Sequence, residues 1–167
     1  SEAKNVPEAK NADYNIAYTY FKLKEYENAA KHYQDYISSG QTDNVRLTDA
    51  YLRMGDSHFV SAKYWPAMDA YNKAIEMRSV DADYAHFQKA ISYGFVGKND
   101  RKIEDLNLFM KQHPKSQYAD DALYELGNTY VNQGNVDKAV ESYERLKNEY
   151  KTSSYVSKAI LRQGLVY

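Results

Sequence analysis

The chain repeats one spacing of small and aromatic residues along most of its length. A small residue recurs at intervals of 38, 35, 37 and 37 residues, at Ala17, Gly55, Ala90, Gly127 and Gly164. A period of about 34 to 40 residues is typical of arrays built from pairs of helices. Each pair can bury its apolar face only against its neighbours, so this period favours an all-α repeat architecture.

Other residues keep fixed distances from these five positions. Three residues later stand Tyr20, His58, Tyr93, Tyr130 and Tyr167; twelve later stand Ala29, Ala67, Lys102 and Ala139; sixteen later stand Tyr33, Tyr71, Leu106 and Tyr143. Small residues let helices approach closely, and rings fill the space between helix pairs, which predicts that these residues form the core. Lys102 departs from this pattern: either its stem extends outwards or its helix pair separates locally.

Turn and cap signals predict where the helices lie. Pro66 suits the first turn of a helix, Gly40 follows a helix end, and Gly97 and Gly134 suit turns. The predicted helices cover about 9–23, 26–38, 46–61, 64–77, 82–96, 100–112, 117–132, 136–150 and 155–167. They form four complete pairs, at about 9–40, 46–79, 82–114 and 117–151, and the first helix of a fifth at 154–167. We expect residues 1–167 to form a single domain.

The full pattern, with Gly97 at a turn and Pro114 after the next helix, resembles the tetratricopeptide repeat (TPR) family over residues 9–167. This resemblance implies a right-handed α-solenoid that serves as a protein-binding scaffold. The block 113–127 is similar to envelope-associated TPR proteins of Gram-negative bacteria, of the Tol–Pal coordinator and outer-membrane assembly lipoprotein type. We therefore expect a location in the bacterial periplasm or cell envelope, with the cytoplasm as the alternative.

Composition argues against several classes of function. The formal net charge of −1 and the isoelectric point near 6.4 disfavour nucleic-acid binding, which needs concentrated Lys and Arg. The chain has no Cys. It also has no apolar run of about 20 residues, the length that would predict a membrane span. Because the sequence starts at Ser1 and stops within a predicted helix, we expect a piece of a longer repeat protein. Further repeats, or a second copy of the chain, would cover that last helix.

Catalytic and metal-binding motifs are scarce. The sequence lacks a phosphate-binding glycine loop, a His-Glu-x-x-His zinc motif and a Gly-x-Ser-x-Gly nucleophile motif. His32, His58, His86 and His113 show no ligand spacing, and His58 stands where other units have Tyr. We expect a non-enzymatic protein without a cofactor or metal ion.

The TPR resemblance implies that the first helix of each pair, helix A, lines a concave groove that binds a protein or peptide. The family's ligand-facing positions carry over to Asn11, Tyr14, Tyr18 and Phe21; Asp49, Leu52, Asp56 and Phe59; Tyr84, Phe87, Ile91 and Gly94; and Asp121, Tyr124, Asn128 and Val131. None is Lys or Arg, which disfavours a clamp for a terminal carboxylate and favours an aromatic, weakly acidic groove.

Three alternatives stay open at the level of sequence. The repeats could recruit or regulate an enzyme whose catalytic domain lies outside this chain, or the Tyr-rich face could bind glycan or peptidoglycan. Trp65, before Pro66, could act as a hydrophobic staple at a helix start or as an exposed anchor for a partner.

Overall fold

The computed structural model describes residues 11–78 and 80–166, which form helices and short connections without strands. Its helices are α1 (Ala12–Lys22), α2 (Tyr26–Ser38), α3 (Asn44–Val60), α4 (Tyr64–Glu76), α5 (Ala82–Phe95), α6 (Asn99–Gln112), α7 (Ala119–Asn132), α8 (Val136–Glu149) and α9 (Val156–Val166). The all-α fold class is confirmed, and each predicted helix is present within the described residues. The predicted start of the first helix and Tyr167 lie outside the described residues.

The chain divides into two compact units, residues 1–96 and 97–167. In unit one, consecutive helices from α1 to α5 pack against one another; in unit two, consecutive helices from α6 to α9 do so. The division falls at the turn inside the third helix pair. That the two units form one continuous solenoid domain stays a prediction.

A residue with left-handed backbone conformation ends helix A in each of the first four pairs. Gly97 and Gly134 have φ angles of 71° and 74°, as their turn chemistry predicts. Lys24 and Ala62 stand at the equivalent positions in the first two pairs, with φ angles of 61° and 57°. A Cβ atom makes this conformation unfavourable, so unit one contains backbone strain at these two turns that the glycines avoid.

The buried tyrosines explain why glycine recurs in helix A. Tyr71 and Tyr143 are fully buried, and their rings lie against the backbone of Gly55 and Gly127. A Cβ atom at Gly55 would lie 2.6 Å from Tyr71 Cε1, and one at Gly127 would be closer still to the ring of Tyr143. Each glycine therefore makes room for an aromatic ring from helix B.

The structure shows where Lys102 and Trp65 lie, the two residues for which the sequence left alternatives open. The side chain of Lys102 is only 11% exposed, and its ammonium donates a 2.5 Å hydrogen bond to Glu125 on α7, so its stem does not extend outwards into solvent. Trp65 is the second residue of α4 and is 55% exposed. A hydrophobic staple precedes the N-cap, so the staple interpretation is wrong and Trp65 is an exposed ring.

The last helix leaves apolar side chains exposed, as the sequence predicts. Ile160, Leu161 and Leu165 are more than half exposed, and no atom would meet a Cβ placed on Gly164. Along residues 11–78 and 80–166, no helix has the length and apolar character needed to cross a membrane.

Candidate functional site

Polar contacts connect the A helices of unit one. The Tyr14 hydroxyl on α1 donates a 2.6 Å hydrogen bond to Asp49 Oδ2 on α3. Arg53 lies one turn further along α3, with Nε 3.5 Å from Asp49 Oδ1 and Nη1 3.3 Å from Asp56 Oδ2. Tyr84 on α5 then donates a 2.7 Å hydrogen bond to Asp56 Oδ1. We call these five residues the A-helix wall.

Asp56 is the acceptor at the centre of the wall. Its Oδ1 also accepts a 2.9 Å hydrogen bond from Tyr71, the buried ring that lies against Gly55. Asp56 is only 8% exposed, and this burial raises the pKa of its carboxyl group, although the hydrogen bonds from Tyr84 and Tyr71 and the charge of Arg53 act to lower it. The carboxyl group therefore links the core of the second pair to the wall.

Aromatic rings surround the guanidinium groups of α3. Arg53 lies 5.5 Å from the centre of the Phe21 ring, and Arg46 lies 5.7 Å from the centre of the Tyr14 ring. Such cation–π contacts hold a guanidinium in place over the ring face. Burial raises the pKa of the Tyr14 hydroxyl, and its hydrogen bond to Asp49 adds to the effect, so Tyr14 is a neutral donor at physiological pH.

Arg53 was missed because the prediction used only the positions carried over from the family. The sequence contains a usable signal, because Arg53 stands four residues after Asp49 and three before Asp56, which places all three on one helix face. The wall of unit one therefore contains a cation, paired with a carboxylate on each side.

In unit two, the equivalent helix has a different set of contacts. Asn128 Oδ1 accepts a 2.8 Å hydrogen bond from Tyr143. The ring of Tyr124 packs against Tyr143 at 6.2 Å and against Tyr155 at 5.0 Å between ring centres. A hydrogen bond from Tyr155 to Asp121 raises the pKa of Tyr155 to about 12, and burial raises the pKa of Asp121. Here an uncharged amide takes the place that Asp56 has in unit one.

The predicted groove residues differ in exposure. Leu52, Asp56 and Phe87 are buried, and Tyr18 is 42% exposed. The others are partly buried: Asn11, Tyr14, Phe21, Asp49, Phe59, Tyr84, Ile91, Gly94, Asp121, Tyr124, Asn128 and Val131. Buried members contribute packing and hydrogen bonds beneath the surface, whereas Tyr18 is the ring most accessible to a partner. Whether these residues bind a ligand stays a prediction.

An aromatic cluster stands at one end of α3. Phe59 packs edge-to-face against Tyr64 and Phe95, each with 5.5 Å between ring centres, and Tyr64 stacks on Phe95 at 4.8 Å. Phe95 is more than half exposed. Phe59 therefore belongs to an aromatic cluster whose Phe95 ring is accessible to solvent.

Unit one also has a groove of about 720 Å³ that the sequence did not predict. Residues of α2, α3, α4 and α5 line it, among them Gln34, Met54, His58, Trp65 and Tyr93. The rings of Trp65 and Tyr93 are perpendicular, with centres 6.5 Å apart. Burial lowers the pKa of His58, which favours its neutral form and fits its expected packing role. This Trp65 groove is a second surface on which a partner could be sought.

Metal-ligand side chains come together once in the described part of the chain. Asp13, His32 and Asp35 each offer a ligand atom, and these atoms lie within 4.8 Å of one another. This group was hard to predict from the sequence, because Asp13 is 19 residues from His32 and on a different helix.

The family model for the tetratricopeptide repeat matches residues 11–39 and 121–153. The protein has a TPR fold. MamA has a similar structure, with 18% sequence identity, a TM-score of 0.78, and coverage of 97% of this chain and 82% of MamA. The TPR protein YrrB, described as having an unusual peptide-binding site, shares 19% identity with a TM-score of 0.74, over 92% of this chain and 75% of YrrB.

A TPR repeats protein from Bacteroides fragilis is also similar, with 22% identity and a TM-score of 0.63, over 94% of this chain and 70% of its own. No curated protein sequence matches the chain. At these identities the structural likeness shows the TPR fold, and the match of two segments to the family model supports the TPR family.

Proposed function

We propose that this protein is a non-catalytic interaction module that binds a polypeptide segment along the A-helix wall of unit one. The continuous contacts from Tyr14 through Asp49, Arg53 and Asp56 to Tyr84 carry this proposal. They fix side chains from three A helices before any partner arrives. A surface that is already ordered loses less conformational freedom on binding. TPR repeats generally mediate contacts between proteins, and the fold supports this class of function.

The chemistry of the wall favours an internal segment with apolar or aromatic side chains. Tyr18 and Phe21 present partly exposed rings beside the polar contacts. Arg53 is already paired with Asp49 and Asp56, so a terminal carboxylate would meet one engaged cation and two negative charges. Backbone amides and apolar side chains meet no such repulsion, and they are the groups we expect the partner to present.

Site-specific photo-cross-linking in the native host can test which surface binds. A photoreactive phenylalanine analogue at Tyr18 should cross-link a polypeptide partner, because this ring is exposed beside the wall. The matched control places the same analogue at Trp65, whose ring is also exposed but lies in the other groove. Cross-links at Trp65 and none at Tyr18 would contradict the proposed wall and assign binding to the Trp65 groove.

Affinity measurements with the cross-linked segment then test the chemistry. Tyr18→Ala should weaken binding by about tenfold or more, as loss of an aromatic anchor does, with unchanged helicity. Peptides of the segment ending in a carboxylate or in an amide should bind equally. Strong preference for the carboxylate would instead show that Arg53 acts as a clamp.

We also propose an envelope location for this protein, which rests on the similarity of residues 113–127 to envelope-associated TPR proteins. Fractionation of the native host with an antibody against the chain would test it. Recovery in the cytoplasmic fraction would contradict this location without affecting the proposed binding wall.

A further inference from the structure

We propose that the first helix pair contains a Zn²⁺ site formed by Asp13 on α1 and by His32 and Asp35 on α2. One atom from each side chain can serve as a ligand, and the three atoms lie within 4.8 Å of one another. A nitrogen donor together with two carboxylate oxygens suits zinc, whereas magnesium prefers oxygen ligands alone.

The spacing of the ligand atoms matches coordination of one ion. His32 Nδ1 lies 3.4 Å from Asp13 Oδ1. Zinc binds nitrogen and oxygen at about 2.0–2.2 Å in tetrahedral sites, which places neighbouring ligand atoms about 3.3–3.6 Å apart. A well-formed N–H···O hydrogen bond is shorter, about 2.9 Å. The pair is within reach of a long hydrogen bond or ion pair, and the same separation allows both atoms to coordinate one ion.

Helix geometry and ring stacking orient His32, while the candidate site is open to solvent. His32 and Asp35 are three residues apart on α2, which places them on one helix face. The His32 ring stacks on Tyr20 of α1, with 5.4 Å between ring centres and an angle of 15° between the ring planes. The side chains of His32 and Asp13 are 25% and 43% exposed, which leaves room for water or a partner's ligand at a fourth position.

Comparison with the other helix pairs indicates that repeat packing does not require these ligands. The equivalent residues are Tyr51, Ala70 and Lys73 in the second pair and Leu123, Ser142 and Arg145 in the fourth. The third pair has His86, Asp105 and Leu108 at these positions, so only the first pair carries three side chains of metal-ligand type. A bound ion would tie α1 to α2 next to Tyr14, and so would brace one end of the A-helix wall.

Isothermal titration of the full chain with ZnCl₂ tests the proposal directly. We expect saturable binding of about one ion per chain. Zinc at about a hundredfold excess over its Kd should raise the ratio of folded to unfolded protein about a hundredfold and therefore raise the thermal midpoint. His32→Gln and Asp35→Asn should each weaken binding by about tenfold or more, with retained helicity. His58→Gln, on α3, is the matched control and should bind zinc like the wild type.

A variant that adds a ligand makes the test independent of any loss of folding. Asp35→His replaces one oxygen donor with an imidazole and should tighten zinc binding, while Mg²⁺ should bind neither protein. Zinc affinity that is unchanged in both His32→Gln and Asp35→His would overturn the site. Equal binding of Mg²⁺ and Zn²⁺ would also overturn it, because it would indicate only diffuse attraction to the carboxylates.

Discussion

In the second and fourth helix pairs, a tyrosine at the equivalent position packs against an equivalent glycine, but its hydroxyl has a different acceptor in each pair. Tyr71 donates to the carboxylate of Asp56, and Tyr143 donates to the amide of Asn128. In the first pair this position holds Tyr18, and the buried hydroxyl of Tyr33 has no hydrogen-bond partner among the described residues. Packing is therefore shared by all three pairs, while the residue after the small one decides which acceptor, if any, the tyrosine hydroxyl meets.

The largest expected effect concerns the shared packing. Gly127→Leu and Gly55→Leu should each lower the free energy of unfolding by about 3 kcal/mol or more, because the new side chain would overlap a fully buried tyrosine ring. Thermal unfolding followed by circular dichroism measures this. The matched control is Gly164→Ala, which meets no neighbouring atom and should be neutral or stabilise by up to about 1 kcal/mol. Unchanged midpoints for both leucine variants would show that ring-on-glycine packing does not hold the pairs together.

Removing the hydroxyls of Tyr71, Tyr143 and Tyr33 one at a time should show how much each acceptor contributes to stability. Tyr71→Phe should cost about 2 kcal/mol, because the buried carboxylate of Asp56 loses a donor, and Tyr143→Phe should cost about 1 kcal/mol, because its acceptor is neutral. Tyr33→Phe should be neutral or stabilising, since no described residue bonds to that hydroxyl. Urea unfolding of the three variants gives the order, and a similar cost for all three would contradict it.

The charge of Asp56 should appear as a dependence of stability on pH. Burial raises its pKa, so protonation favours the folded state. Its contribution is fully present below the unfolded pKa of about 3.9 and is lost as the pH rises through the elevated folded pKa. The stability of the wild type relative to Asp56→Asn should therefore fall as the pH rises from about 3 through the elevated folded pKa, by about 1.4 kcal/mol for each unit of elevation. Urea unfolding of both proteins across this range measures it; a relative gain with rising pH would contradict the sign.

Substitutions at the turns should have the smallest effect on stability. Ala62→Gly and Lys24→Gly should each stabilise the protein by about 0.5 kcal/mol, because they relieve left-handed backbone strain, although glycine makes the unfolded chain more flexible. Gly134→Ala, at the equivalent turn of unit two, should destabilise by about 1 kcal/mol. Thermal midpoints compare the three variants, and effects of the same sign would show that the turns are not equivalent.

The sequence was sufficient to predict the fold because the packing residues recur with the repeat period. Gly55 with Tyr71 and Gly127 with Tyr143 mark the helix pairs, and the predicted helix ends that fall within the described residues agree with the observed ones to within about two residues. Such periodic contacts depend on residue size and spacing, which one sequence displays directly.

The candidate site was less accessible to sequence reasoning because its contacts join distant residues. Tyr84 donates a hydrogen bond to Asp56, which is 28 residues away in sequence, and Tyr14 donates one to Asp49, which is 35 residues away. Neither contact follows from helix periodicity, because each depends on how two side chains are oriented between neighbouring helices. The carried-over positions named these four residues but gave neither their pairing nor the role of Arg53 between them.

The single tryptophan gives the two units different optical signals. Trp65 is the only tryptophan in the chain and lies in unit one, beside Tyr93, whereas tyrosines occur in both units. Indole emission therefore reports on unit one alone, while far-ultraviolet circular dichroism reports on the helices of both. Coincident melting by the two signals would mark the halves as one cooperative body, and separate transitions would mark them as independent, without any added label.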